Sequence, residues 1–190
     1  MTSLKTCSSS RLTLFCFILC LGCGLPVDPG LAGTVKKSYV DYDGGEYHLN
    51  LVMHIDAPTT SVWQQLTDFN QLGKVNPAIK QSTILHKNNS TTRIKVISEG
   101  CVLFFCRTIT QVQDVRELGQ GYLVIAEVAG KSDFSSGHTL WHVTPQQDST
   151  RVTIRARLKP DFWLPPLLGP WLFQKKLVQQ AKTIIINLEQ

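Results

Sequence analysis

The sequence lacks the patterns that announce the commoner chemistries. It has no glycine-rich loop to cradle a phosphate, no zinc-type pairing among its six cysteines, and no internal repeat. Basic and aromatic residues do not interleave, and no strong excess of one charge is present, so nucleic acid is not an expected partner. The longest apolar run, Leu12 to Leu21, is too short to span a bilayer. No Ser/His/Asp or Cys/His set can be placed by spacing. His138 and His142 share a strand face but lie roughly 13 Å apart in an extended chain, too far for one metal ion without a bend. No metal, cofactor or catalytic residue is therefore assigned.

What is present begins with a charged start, Lys5 and Arg11, before that apolar run, which reads as a secretory signal over residues 1–23. Cys20-Leu21-Gly22-Cys23 resembles a bacterial lipoprotein cleavage box with Cys23 as the lipidated residue, although Cys20 stands where that pattern usually has leucine. Ordinary cleavage near Gly24 or Gly33 is the other reading. Localisation is thus expected on the exported, periplasmic side, free or tethered through Cys23. Loss of Lys5 and Arg11 from the 19 Lys and Arg leaves 17 against 14 Asp and Glu. Residues 24–34, rich in proline and glycine, read as a linker before a single domain over 35–190.

Within that domain, alternation of apolar and polar residues marks strands. Tyr47, Leu49, Leu51, Met53 and Ile55 share one face of a half-buried strand. Asp43-Gly44-Gly45 before it is turn chemistry, which makes Val35 to Tyr42 a candidate hairpin partner. Val152, Ile154, Ala156 and Leu158 alternate with Arg151, Thr153, Arg155 and Arg157. That basic row is either a solvated outer face or a patch for anionic headgroups. Further strands are expected over 79–85, 92–99, 106–118 and 122–129. Asn88 and Asn89 form glycosylation sequons but read more simply as a polar hairpin tip. Short helices are expected after Ala57-Pro58, with the threonines offering an N-cap, and over Leu72 to Pro77. A long helix is expected from about Pro170 to Leu188, its stripe being Leu167, Trp171, Gln174, Val178, Ala181, Ile185 and Leu188. About seven antiparallel strands with segregated helices imply an α+β fold, a curved sheet wrapped around the last helix.

Two stretches carry a resemblance. HIDAPTTSVWQQLTDFNQLGKVNP resembles the opening of the START/birch-allergen-like (SRPBCC) superfamily, in its polyketide cyclase/dehydrase-like and coenzyme-Q-binding-like branch. Gly137 to Pro145 and Thr150 to Thr153 resemble its last two strands. The likeness covers Tyr47 to Glu189 and implies a helix-grip fold with an apolar pocket between sheet and helix. These motifs specify fold well and chemistry poorly.

Candidate pocket residues are Trp63, Phe69, Ile125, Trp141, Trp171 and Leu172, each of which core packing would also explain. Glu99, Arg107, Glu127, His138 and His142 are the ionisable candidates, with Arg107 and Glu127 the ones that could point inward. Glu127 shares a face with Leu123 and Ile125, so an inward carboxylate is possible, as is a place at the sheet rim. The expected function is binding of a hydrophobic small molecule or lipid without chemistry, with possible membrane contact by the apolar start of the last helix. The alternatives are a cyclase or dehydratase acting on a hydrophobic substrate, and a partner-binding module with a vestigial pocket. Cys101 and Cys106 would lie about 16 Å apart on opposite faces of a straight strand. If the chain bends between them, a short-loop disulfide becomes possible.

Overall fold

The computed structural model describes residues 33–102, 105–162 and 170–190. The signal, the linker up to residue 32 and Cys23 lie outside the described residues, as do Leu167 and the apolar segment 163–169 before the last helix. The chain forms β1 (Thr34–Asp43), β2 (Glu46–Ile55), α1 (Thr59–Thr67), α2 (Leu72–Val75), β3 (Ile79–Lys87), β4 (Thr92–Val102), β5 (Phe105–Gly119), β6 (Tyr122–Glu127), β7 (Phe134–Gln146), β8 (Ser149–Pro160) and α3 (Pro170–Leu188). All pairings are antiparallel, and the sheet order is β1-β2-β8-β7-β6-β5-β4-β3.

Eight strands are present among the described residues rather than about seven. The hairpin before Tyr47 is real and complete: Gly44 and Gly45 turn it with φ of 56° and 88°, values that glycine adopts without a Cβ penalty. β3 to β8 run as successive hairpins. The β2–β8 pairing joins the opening hairpin to the far end of the chain, with Leu51 facing Ile154 and Met53 facing Val152.

α3 closes the concave side. Proline stands at its first residue, where a missing N–H costs nothing. Ala181, Ile185 and Leu188 are buried with Leu51, Met53, Ile55, Val62, Leu66 and Val152 in the main core. A second core, Phe69, Ile94, Val96, Val115 and Leu123, lies toward β4 and β5. The far end of α3 is fastened by Glu189, whose Oε1 accepts the N–H groups of Gly33 and Asp56, both at 2.8 Å. Gln174 donates to the Ser38 carbonyl of β1 at 3.0 Å.

Two local expectations are corrected. Pro58, not a threonine, stands at the N-cap of α1, and no side chain caps it. Thr59 is turned toward Thr150, 3.1 Å away, whose hydroxyl donates to the Ala57 carbonyl at 2.7 Å. The threonine therefore ties α1 to β8. At the start of α3 the stripe departs from the expected one. Trp171 is 72% exposed, while Phe173 and Leu177 face the sheet. Residues two apart on a helix lie on nearly opposite sides, so choosing Phe173 sends Trp171 outward.

Candidate functional site

Between the sheet and α3 lies a cavity of about 500 Å³. Residues of all eight strands reach it: Val40 of β1, Leu49 and Leu51 of β2, Ile154 and Ala156 of β8, Trp141 of β7, Ile125 of β6, Ile109 of β5, Ile94 of β4 and Ile79 of β3. α3 contributes Phe173, Leu177, Ala181 and Ile184, and the α1–α2 region contributes Leu66, Phe69 and Leu72. A long curved sheet has more concave area than one helix can cover, and the remainder is this space. At one end stand Gly100, Pro160, Phe162, Phe173 and Lys176. Phe134 and Phe162 meet edge to face with centroids 6.0 Å apart. Tyr47 packs between Tyr42 and Phe173, each centroid 4.8 Å away. Burial, and then Tyr42, push its phenol above the ordinary range.

The inner face is not wholly apolar. On β5 the residues pointing inward include Gln111 and Gln113, both in the cavity wall. Each amide N–H₂ donates to Glu127 Oε1, at 2.7 and 2.6 Å, and the Ser132 hydroxyl donates to Oε2 at 2.7 Å. Glu127 faces Gln113 directly across the β5–β6 ladder. Its stem lies against Gly137 of β7, where an added Cβ would come within 2.5 Å of Glu127 Cγ. Glycine at 137 is thus what lets the carboxylate lie along the sheet. Three donors hold it behind the wall, and the two glutamine oxygens are left without partners among the described residues.

The expected residues separate into three groups. Phe69, Ile125 and Trp141 line the cavity. Glu127 points inward, one layer behind the glutamines. Arg107 stands over the Phe162 ring, 4.3 Å from its centroid, with a buried Nε that has no partner among the described residues. Trp63, Trp171 and Leu172 are not in the wall. Trp63 packs between the two cores, because α1 lies across their junction. Trp171 is in solvent, with Lys175 Nζ 5.6 Å from its ring centroid. Gln111, Gln113 and Phe134 were not anticipated, while Phe162 and Phe173 belong to the apolar stretch expected at the start of the last helix and do line the cavity. The parity of β5, with Gln111 and Gln113 in step with Ile109 and Val115, is the signal that reveals the first two.

Cys101 and Cys106 face each other across the β4–β5 hairpin, with Cα atoms 4.0 Å apart and sulfur atoms 2.12 Å apart. β4 and β5 pair antiparallel, which removes the separation a single straight strand would impose.

The sequence matches the polyketide cyclase / dehydrase and lipid transport family over residues 55–183. The chain belongs to that family. It has the START/SRPBCC fold, as solved structures of low identity also show. A STAR-related lipid transfer protein from Xanthomonas axonopodis superposes with a TM-score of 0.61 at 17% identity, covering 84% of this chain and 99% of that one. A START superfamily protein from Mycobacterium smegmatis gives 0.62 at 18%, covering 75% and 97%. An aromatase/cyclase from Streptomyces sp. R1128 gives 0.52 at 12%, covering 76% and 89%. No curated protein matches the sequence.

Proposed function

We propose that this family member is an exported carrier that holds a hydrophobic or lipid-like molecule between sheet and α3 and does no chemistry on it. The observation that carries the reading is the cavity itself, about 500 Å³ walled mainly by aliphatic and aromatic side chains. Polar side chains are the minority of its wall, with Glu99, Lys176 and Gln180 among them beside Gln111 and Gln113. Gln111 and Gln113 present amide oxygens to the cavity while their N–H₂ groups are held by Glu127. Such a pair suits one hydroxyl or amide donor on an otherwise apolar ligand. The unfilled volume weighs against a vestigial pocket.

The second reading is a cyclase or dehydratase. Two carboxylates favour it, Glu99 in the cavity wall and Glu127 behind the glutamines. The carrier is preferred because each oxygen of Glu127 already accepts a hydrogen bond, and Glu99 is largely exposed and lies 3.7 Å from Lys80 Nζ. Contact with a membrane belongs to the same proposal: exposed Trp171 beside Lys175 suits the boundary between headgroups and acyl chains. Export through the N-terminal signal, with Cys23 as a lipid anchor, is proposed from the sequence. A Cys101–Cys106 disulfide would fit that compartment. Lipid extraction of freshly purified protein, followed by mass spectrometry, tests the carrier. A stoichiometric hydrophobic molecule supports it, and chemically altered product from a supplied aromatic polyketide-like substrate would favour the enzyme.

A further inference from the structure

One polar group in the wall of the cavity has its direction fixed from behind. Gln111 and Gln113 stand two apart on β5, so both side chains leave the same face of the strand, in step with Ile109 and Val115. Across the β4–β5 ladder, Gln111 faces Val96 and Gln113 faces Ile94. Arg107 faces Gly100 at one end of the cavity, and Gln111 lies roughly 14 Å further along β5. The pair is therefore set among aliphatic side chains, away from that end.

A glutamine amide is ordinarily ambivalent. One end accepts, the other donates, and half a turn exchanges them. Here the exchange is blocked. Both N–H₂ groups donate to a single oxygen, Glu127 Oε1, at 2.7 and 2.6 Å, while the Ser132 hydroxyl donates to Oε2 at 2.7 Å. Turning either amide would set acceptor against acceptor. Register holds Glu127 opposite Gln113, and Gly137 of β7 leaves room for its stem. No lysine or arginine lies within ion-pair distance of Glu127 among the described residues.

The two amide oxygens are the open side of this network. Neither has a partner among the described residues. Neither is sealed in protein either: the buried side-chain atoms without partners there are Ser38 Oγ, Asn50 Oδ1 and Arg107 Nε. Donation from amide to carboxylate polarises each amide and strengthens its oxygen as an acceptor. A ligand that covers the pair displaces water from it. A hydroxyl replaces the lost hydrogen bond, whereas a ligand with acceptors alone leaves both oxygens unpaired, which costs affinity. Other wall groups do not reverse this preference. The hydroxyls of Ser98 and Thr139 donate and accept alike. The Trp141 N–H or the Lys176 ammonium can serve a carbonyl, but neither satisfies the glutamines.

We propose that the cavity selects an apolar molecule bearing a hydroxyl, an alcohol rather than the ketone, ester or fatty-acid carboxylate of the same skeleton. Gln111 and Gln113 read the hydroxyl, and Glu127 is the positioning residue that fixes which way they read. The inference rests on the carrier reading and gives it a ligand class. A carboxylate held by Lys176 does not escape the selection where its chain lies over the same two oxygens.

Calorimetric titration of the mature protein, freed of bound lipid, with two matched pairs tests the proposal: cyclododecanol against cyclododecanone, and dodecan-1-ol against dodecanoate at neutral pH. Each alcohol should bind at least about tenfold more tightly than its counterpart. Gln111→Leu with Gln113→Leu should abolish the preference, lowering alcohol affinity while ketone affinity holds or rises. Glu127→Leu, which frees both amides to turn, should strengthen binding of cyclododecanone, a gain that mere loosening of the sheet would not give. The comparison within the unaltered protein stands whether or not a variant folds. Equal affinities, tighter binding of the ketone or carboxylate, or a preference that survives in the double variant overturns the selection and leaves the carrier intact. Failure of all four compounds to bind contradicts the carrier reading and this inference with it.

Discussion

Ile185→Ala and Trp171→Ala, two substitutions on one helix, should differ sharply in cost. Ile185 is 2% exposed and sits in the main core with Met53 and Val62. Truncation removes three carbon atoms from water-free surroundings, about 2.4 kcal/mol at roughly 0.8 kcal/mol each. Incomplete collapse of the surrounding side chains adds a cavity term, giving a total of about 2–5 kcal/mol. Trp171 is 72% exposed, and its one notable partner is Lys175. Its removal should cost no more than about 0.5 kcal/mol, as for other surface sites. Urea unfolding followed by circular dichroism measures both, with unchanged slopes required for the comparison. The membrane proposal adds a second readout: Trp171→Ala should reduce co-flotation with anionic vesicles while the cavity ligand is retained. Equal losses of stability in the two variants would show that α3 is not oriented as described.

Gly137→Ala should displace Glu127, since the new methyl would meet its stem, and should lower both stability and retention of bound ligand, read by melting temperature and by ligand content. Glu127→Leu should remove the acceptor shared by Gln111 and Gln113 and disorder their amides, so its effect should appear in the affinity for hydroxyl-bearing ligands rather than for plain alkanes. Arg93 makes a two-pronged pair with Asp114, at 2.7 and 2.8 Å, and holds that carboxyl below its ordinary range. The stability this gives is present above the unfolded carboxyl's value, about 3.9, and is lost as pH falls through the lower folded value. Asp114→Asn should therefore destabilise at neutral pH and flatten the acid limb of the stability profile. Denatured, non-reduced mature protein should contain no titratable thiol at Cys101 or Cys106, and two free thiols would remove the proposed disulfide.

The parts of the fold legible in the sequence were those governed by period. Strict alternation placed Leu49, Leu51 and Met53 on the inner face and the arginines of β8 on the outer one, because a pleated strand permits no other arrangement. The α3 stripe was legible where it is buried, at Ala181, Ile185 and Leu188, and misread at its start. There both Trp171 and Phe173 are large and apolar, and only the tertiary neighbour Tyr47 of β2 decides between them. The polar part of the site was harder to read. Gln111 and Gln113 look like ordinary exposed strand residues until Glu127, fourteen to sixteen positions away, is brought opposite them by the β5–β6 register. Trp63 failed as a pocket residue for the converse reason: its apolar bulk fits a core junction as well as a cavity wall, and local sequence does not distinguish the two.

The most direct test of the carrier is native mass spectrometry of freshly purified mature protein beside an Ile125→Trp variant, whose larger side chain projects into the cavity. The account predicts one hydrophobic molecule per chain in the native protein, released on organic extraction. It predicts that the variant loses that molecule while unfolding at a similar urea concentration. A native protein that carries nothing and takes up no added lipid, or a folded variant that keeps its ligand undiminished, would contradict it.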